Sequence, residues 1–389
     1  MTRRYFLLGA PALPALSQKA GRAAGRKILI MLIDGFGPEY LEKSDMPNLK
    51  RMRREGSFTT GSSVMPSVTN VNNASVVTAC FPDEHGITSN FFYDRQTRTY
   101  SEMETAGFLL RPTLFERARA AGLRTALVSA KDKVRTLCSK GAHVEVSAEL
   151  PEPKYIQAIG RREDMYSPAV NYWLLRAARH VLKHDGIDLM YLSTTDYMMH
   201  TYAPGEGPSL EHLHTLDKLL GDLVDDHPRL EVYVTADHGM NAKREAIDAA
   251  LILKEQSIPS EMVPIIRDKH KTHHQNLGGA AYVFLERAGD LSKAAEILKS
   301  TPGVEAVHRA PEAARLFHLH PQRIGDLLAL AAKDTAFGQL EKPREPAKVR
   351  THGSLHESQV PLIAYGRRVN MSDYRYNLDL TRHLLLEGL

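Results

Sequence analysis

The chain has 389 residues, 43% hydrophobic and 25% charged, with 50 Lys plus Arg against 46 Asp plus Glu. That length can bury a large α/β core, as one domain with an insert or as two domains. No apolar run approaches the roughly 20 residues of a membrane-crossing helix, which excludes a helical span. The first 24 positions hold four basic residues (Arg3, Arg4, Lys19 and Arg22) and no acidic ones. They account for the whole positive excess, so the remainder is near neutral and gives no electrostatic case for nucleic acid.

Thr2 to Leu8 carries the twin arginine, an apolar stretch runs to Leu16, and a small, basic segment follows over Ser17 to Ala24. This predicts a twin-arginine export signal over residues 1–24 and a periplasmic location, with a basic N-terminus on a cytoplasmic protein as the alternative. The two cysteines, Cys80 and Cys138, make neither a disulfide framework nor a zinc knuckle.

Lys27 to Ile33 is a continuous apolar run expected to form a strand buried on both faces, and it ends in Asp34-Gly35. Met65 to Asn90 follows. Its Pro66 and Ser67 break the chain, Asn72 to Cys80 is expected to be helical, and Thr69 falls just ahead of the helix N-terminus. Free N–H groups and the positive end of the helix dipole suit an anion there, although Thr69 and Asn70 are equally ordinary capping residues. Thr113 to Ala121 reads as a helix and Arg124 to Ser129 as a strand leading into Lys131-Asp132-Lys133. Val170 to His184 reads as a helix, and Ile187 to Ser193 as a strand ending near Asp196. Leu210 to Val224 is expected to be helical, and Leu230 to Thr235 is a third buried strand, ending in Asp237-His238-Gly239. Between about residues 241 and 350 short strands and helices alternate, predicting an α+β cap insert. Lys342 to Lys348, with two prolines, reads as a linker, and sheet-like sequence returns at Val360 to Ala364. Residues 25–240 and 351–389 would then form a catalytic α/β domain.

Three apolar strands thus bring Asp34, Asp196 and Asp237 to one sheet edge, where open α/β sheets place ligands. His200 follows Asp196 by four residues, which puts both on one face if the turn continues as a helix. Asp237 and His238 could serve one ion only in an irregular turn, which Gly239 would permit. With His352 in Thr351-His352-Gly353, this mixed carboxylate and imidazole set favours zinc, in a number suited to two ions rather than one.

Asp34-Gly35, PSVTNVNN with Thr69, VVTACFPDEHGI with Asn90 beyond it, Asp196-x-x-x-His200, ADHG at Asp237 and His238, and HG at His352 together resemble the alkaline phosphatase superfamily, in its nucleotide pyrophosphatase/phosphodiesterase branch. Within that branch, Thr69-Asn70-x-Asn72-Asn73 and the SAKDK segment are similar to the phosphonoacetate hydrolases. Two features depart from the pattern: Ala79 stands where relatives usually carry Gly, and the export-like N-terminus is foreign to that group. The resemblance implies an α/β fold, with a mixed, mostly parallel sheet flanked by helices and a small α+β cap.

It also implies two Zn2+, one on Asp196, His200 and His352 and the other on Asp34, Asp237, His238 and the Thr69 hydroxyl. Zinc would lower the hydroxyl pKa so that Thr69 attacks phosphorus. Asn90 would donate to a phosphoryl oxygen, and a phospho-threonine intermediate would follow. For phosphonoacetate, cleavage of the carbon–phosphorus bond would yield acetate and phosphate, with Lys131 and Lys133 expected on one side of an extended segment to hold the departing carboxylate-bearing group. His273 and His274 in the insert are left open as substrate contacts, and His352 rather than His356 is expected as the last ligand. The partner is a small anionic phosphonate or phosphate ester; homodimer formation is left open. Phosphodiesterase or nucleotide pyrophosphatase activity is the alternative, and the scarcity of aromatics near the motifs, with Trp173 the single tryptophan, speaks against a base clamp.

Overall fold

A computed structural model describes residues 26–269 and 271–388. The export signal expected over 1–24 lies outside the described residues. Among the described residues a seven-stranded sheet is ordered Ser57–Ser62, Gln359–Tyr365, Leu230–Thr235, Lys27–Leu32, Leu189–Ser193, Thr125–Ser129, Val144–Ser147. Only Gln359–Tyr365 runs against its neighbours. The apolar runs are explained by burial on both faces: Leu29, Ile30, Met31, Leu32, Val232 and Leu192 are all almost fully enclosed. This is the mixed, mostly parallel α/β sheet flanked by helices that the motifs imply. No described helix is long and apolar enough to cross a membrane.

Register decides where the chemistry sits. Leu32 lies opposite Ser193 on one side and Thr235 on the other, and Ser129 lies opposite Ser193. The carboxyl ends of four strands are therefore level, and Asp34, Lys131, Asp196 and Asp237 emerge at one edge within two or three residues of those ends.

The segment expected as the insert holds a three-stranded sheet, Thr335–Phe337, Asn241–Ile247 and Arg344–Thr351, and a four-stranded sheet, Ser260–Pro264, Ala280–Leu285, Leu327–Ala331 and Val304–Arg309. Period-two alternation divides its side chains. Ala281, Val283 and Leu285 join Leu253 and Leu298 in a separate cluster under the insert's own helices, whereas Ala280, Tyr282 and Phe284 join the main core. The expected linker at 342–348 is instead the start of the strand Arg344–Thr351. It pairs antiparallel with Asn241–Ile247 and has a register shift after Pro346, and such an irregularity on an edge strand is where a proline is tolerated.

The helix expected at Asn72 begins three residues earlier, spanning Thr69–Thr78, so Thr69 is its first residue rather than a cap. Every residue of it is buried, polar ones included. Asn72 accepts from Val64 N–H (2.7 Å) and donates to Val64 O (3.0 Å), and Asn73 donates to Thr69 O (2.9 Å) and accepts from the Tyr191 hydroxyl (2.8 Å). The helix ends at Ala79 with φ +59°. A left-handed alanine costs about 1 kcal/mol against glycine.

His85 braces this helix from behind. Its Nδ1 accepts from Ile87 N–H (3.1 Å), so its Nε2 donates to Ser75 Oγ (2.8 Å) and the ring is neutral. Burial pushes its pKa down to about 3. The unfolded chain, titrating near 6.5, binds this proton over the interval in which the folded chain refuses it. Stability from this group is therefore intact above pH 6.5 and is lost as pH falls toward 3, by up to a few kcal/mol. Urea midpoints measured from pH 7 to 4 should fall less steeply for His85→Gln than for the parent; equal slopes would contradict this.

Candidate active site

The carboxylates share one design: one oxygen is anchored and the other is left inward. Lys131 Nζ holds Asp34 Oδ2 and Asp196 Oδ1, each at 2.7 Å. Asp237 Oδ1 accepts from Gly35 N–H (3.1 Å) and His238 N–H (3.0 Å). Asp34 Oδ1, Asp196 Oδ2 and Asp237 Oδ2 remain buried without a hydrogen-bond donor. The imidazoles mirror this. Nδ1 of His200 lies 2.6 Å from Arg350 O, that of His238 2.9 Å from Gly239 O, and that of His352 2.8 Å from Ser67 O. A carbonyl can only accept, so each Nδ1 carries the hydrogen and each Nε2 presents a lone pair, the tautomer a metal ligand requires.

These lone pairs converge. His238 Nε2 lies 3.4 Å from both Asp34 Oδ1 and Asp237 Oδ2, and Asp196 Oδ2 lies 2.8 Å from His200 Nε2 and 3.9 Å from His352 Nε2. Acceptors facing acceptors at such distances call for cations between them, so the donor set fits divalent metal. Ligand atoms of Asp34, Asp237 and His238 lie within 4.8 Å of one another, as do those of Asp196, His238 and His352 and those of Asp196, His200 and His273. The six carboxylates and imidazoles read as metal site are thus brought to one edge, and the chain two residues before Thr69 is tied to it. Ser67 O meets His352, and Ser67 Oγ donates to Ser354 O (2.7 Å).

Electrostatics agree. Burial, then the Asp196 and Asp237 carboxylates, hold Asp34 well above the carboxylate range, and burial and Asp196 push Asp237 up to about 6. Asp196 goes the other way, because Lys131, His200 and His273 outweigh its burial. Burial, joined by neighbouring imidazoles, holds His352 well below the histidine range, and burial lowers His238. Lys131 alone does not neutralise three buried carboxylates.

Several expectations are corrected. The segment after Ser129 is not extended: the chain turns into the helix Asp132–Cys138 with Lys131 at its N-cap. The lysines therefore diverge. Lys131 bridges Asp34 and Asp196, and Lys133 pairs with Asp268 of the insert at 2.5 Å. The turn that joins the aspartates needs its left-handed residue at Gly35 (φ +72°), where a Cβ would meet Asp196 Cβ at 3.1 Å, and not at Gly239. Asn90 Oδ1 accepts from Asn70 N–H (3.2 Å), which fixes the amide plane beside the helix start. His352 is buried at the site, while His356 is partly exposed and pairs with Glu305 of the insert.

The sequence reading missed Glu357 and Lys243. Their buried ion pair (2.8 Å) anchors the His352 loop, with Glu357 accepting from Ser354 N–H (2.9 Å) and its carbonyl accepting from Gly239 N–H (2.6 Å). The pattern Ser354-x-x-Glu357 is a capping-box signal that could have found half of it.

A family model described as type I phosphodiesterase / nucleotide pyrophosphatase matches residues 28–355. Phosphonoacetate hydrolase from Sinorhizobium meliloti 1021, solved with phosphonoacetate and with phosphonoformate, is 30% identical, with a TM-score of 0.84 over 93% of this chain and 95% of that one. Murine ectonucleotide pyrophosphatase/phosphodiesterase 5 shares the fold, with a TM-score of 0.68 at 18% identity over 93% of this chain and 95% of that one. Venom phosphodiesterase of Naja atra is 25% identical over 55% of this chain and 26% of its own length, and human ectonucleotide pyrophosphatase/phosphodiesterase family member 1 is 25% identical over 54% and 23%. The chain spans about a quarter of the length of these curated relatives. The motif resemblance is borne out across most of the fold: the chain belongs to the type I phosphodiesterase / nucleotide pyrophosphatase family of the alkaline phosphatase superfamily.

Proposed function

We propose that the chain is a two-zinc hydrolase that cleaves phosphonoacetate to acetate and phosphate through a phospho-threonine at Thr69. The observation that carries the reaction class is the set of inward, donor-less oxygens facing imidazole lone pairs beside a buried threonine at a helix start. Phosphonoacetate is favoured by the likeness to a hydrolase solved with that compound.

Asp196, His200 and His352 would hold one ion and Asp34, Asp237 and His238 the other. Bound there, the ions would supply Lewis acidity to the attacking hydroxyl and to the departing group. The chain's own residues do the rest. Thr69 is held at the first turn of a helix whose free N–H groups favour a phosphoryl group, and the Asn90 amide is turned toward the same place by its bond from Asn70. Thr69 Oγ1 gives up its proton to solvent and bonds to phosphorus as the phosphorus–carbon pair departs onto carbon, where the adjacent carboxylate spreads the charge as an enolate. That carbon then takes a proton from solvent to give acetate, and water hydrolyses the phospho-threonine. Lys131 fixes the anchored oxygens of Asp34 and Asp196, and Lys133, buried and paired with Asp268, is the remaining lysine that would meet the substrate's carboxylate.

The second reading is phosphodiester or nucleotide pyrophosphate hydrolysis. It gains one observation absent from the sequence reading, a ring wall of Tyr166 and Tyr197 around His273, at 5.1 and 5.7 Å between centroids. Zinc-loaded protein should release phosphate from phosphonoacetate faster than nitrophenol from a bis(nitrophenyl) phosphate at equal concentration. Turnover of the diester with no phosphate from phosphonoacetate would select the second reading.

A further inference from the structure

The insert sends one imidazole into the catalytic edge that the two proposed ion sites do not use. His273 lies on the short helix Lys271–His274 and is buried. Its Nδ1 is 3.7 Å from Asp196 Oδ1, and its ring stacks on that of His200 at 5.6 Å and 22°. The same turn is tied to Lys133, because Asp268 joins Lys133 Nζ to His274 Nε2 (3.0 Å).

Two roles fit an imidazole so placed. As a fourth protein ligand beside Asp196, His200 and His352 it would close a tetrahedron, the pattern of a structural zinc, and leave no position for substrate. The other role follows from direction. In an in-line displacement the attacking and leaving groups lie on opposite sides of phosphorus. If Thr69 attacks from the side of Asp34, Asp237 and His238, the departing group faces Asp196, where His273 stands.

We infer that His273, delivered by the insert, is a leaving-group residue: its N–H donates a hydrogen bond to the anionic oxygen of the departing group, the carboxylate of phosphonoacetate or the departing oxygen of an ester. This rests on the two-site reading above. The insert then selects substrates that carry an oxygen anion on the leaving side. A neutral imidazole suffices, and no proton is transferred.

The test uses His273→Ala and His273→Gln in the full chain, with kcat/KM measured for phosphonoacetate and for aryl phosphodiesters of graded leaving-group acidity. Zinc affinity is measured by titration of the metal-free proteins. A donor to the leaving group matters most where charge on it is worst tolerated. The His273→Ala loss should therefore grow from about threefold or less with the most acidic phenol to about 10- to 100-fold with the least acidic and with phosphonoacetate. His273→Gln should recover part of it, and zinc affinity should stay at the parent value. A fall in zinc affinity would make His273 a ligand, and an equal loss across the series would make it structural; either overturns the inference alone. A parent protein that turns over none of these substrates would overturn the two-site reading with it.

Discussion

Thr69→Ala is expected to lower kcat/KM by about 1,000-fold or more with every substrate the protein accepts, while the zinc content stays at two per chain. The size follows from the role, because a nucleophile has no substitute among the residues around it and its loss removes the covalent route outright. Zinc should remain because Asp34, Asp237 and His238 each keep an inward atom without Thr69: Asp34 Oδ1, Asp237 Oδ2 and His238 Nε2. The fold should survive too, since the helix Thr69–Thr78 is pinned by Asn70, Asn72 and Asn73 rather than by the threonine hydroxyl. Steady-state kinetics and metal analysis on one preparation check both halves. Activity within tenfold of the parent would exclude Thr69 as nucleophile.

His352→Ala should weaken zinc binding by at least about 100-fold and abolish turnover, whereas His356→Ala should leave both nearly unchanged. The two residues are four apart in a short segment, yet they face opposite ways. His352 is enclosed, its Nδ1 spent on Ser67 O and its Nε2 turned toward Asp196, while His356 is half-open and engaged with Glu305 across the insert. Ligand loss also strands acceptors: Asp196 Oδ2 would keep only His200 as a close partner. Competition of each variant with a chromogenic zinc chelator reads the difference. Parallel losses in both variants would show that the segment matters as a whole and that His352 is not a specific ligand.

The sheet edge was legible because its signal is local. A largely apolar run with an Asp within two or three residues of its end requires a buried strand and a carboxylate that something must satisfy, and Asp34, Asp196 and Asp237 each show that pattern. Ala280–Leu285 is apolar at every position because its two faces meet two different cores.

Lys131 was misread for a reason periodicity cannot resolve. Lys-Asp-Lys alternates like a strand, but Asp132 opens a helix, and the turn sends Lys131 back over the sheet to Asp34, 97 residues away. Glu357 could have been suspected from Ser354-x-x-Glu357. Lys243, 114 residues from Glu357, could not, because the ion pair exists only once the strands Asn241–Ile247 and Arg344–Thr351 have paired. His273 belongs to the same class. Its chemistry was visible, and its position was set by how the insert folds back.

The most direct measurement is the zinc stoichiometry of activity. Metal-free protein is titrated with zinc while phosphate release from phosphonoacetate is followed. With one ion on each side of the reacting phosphorus, activity should stay low through the first equivalent and rise to its plateau as the second is bound. Full activity at one equivalent, or activity without zinc, would contradict the two-site centre.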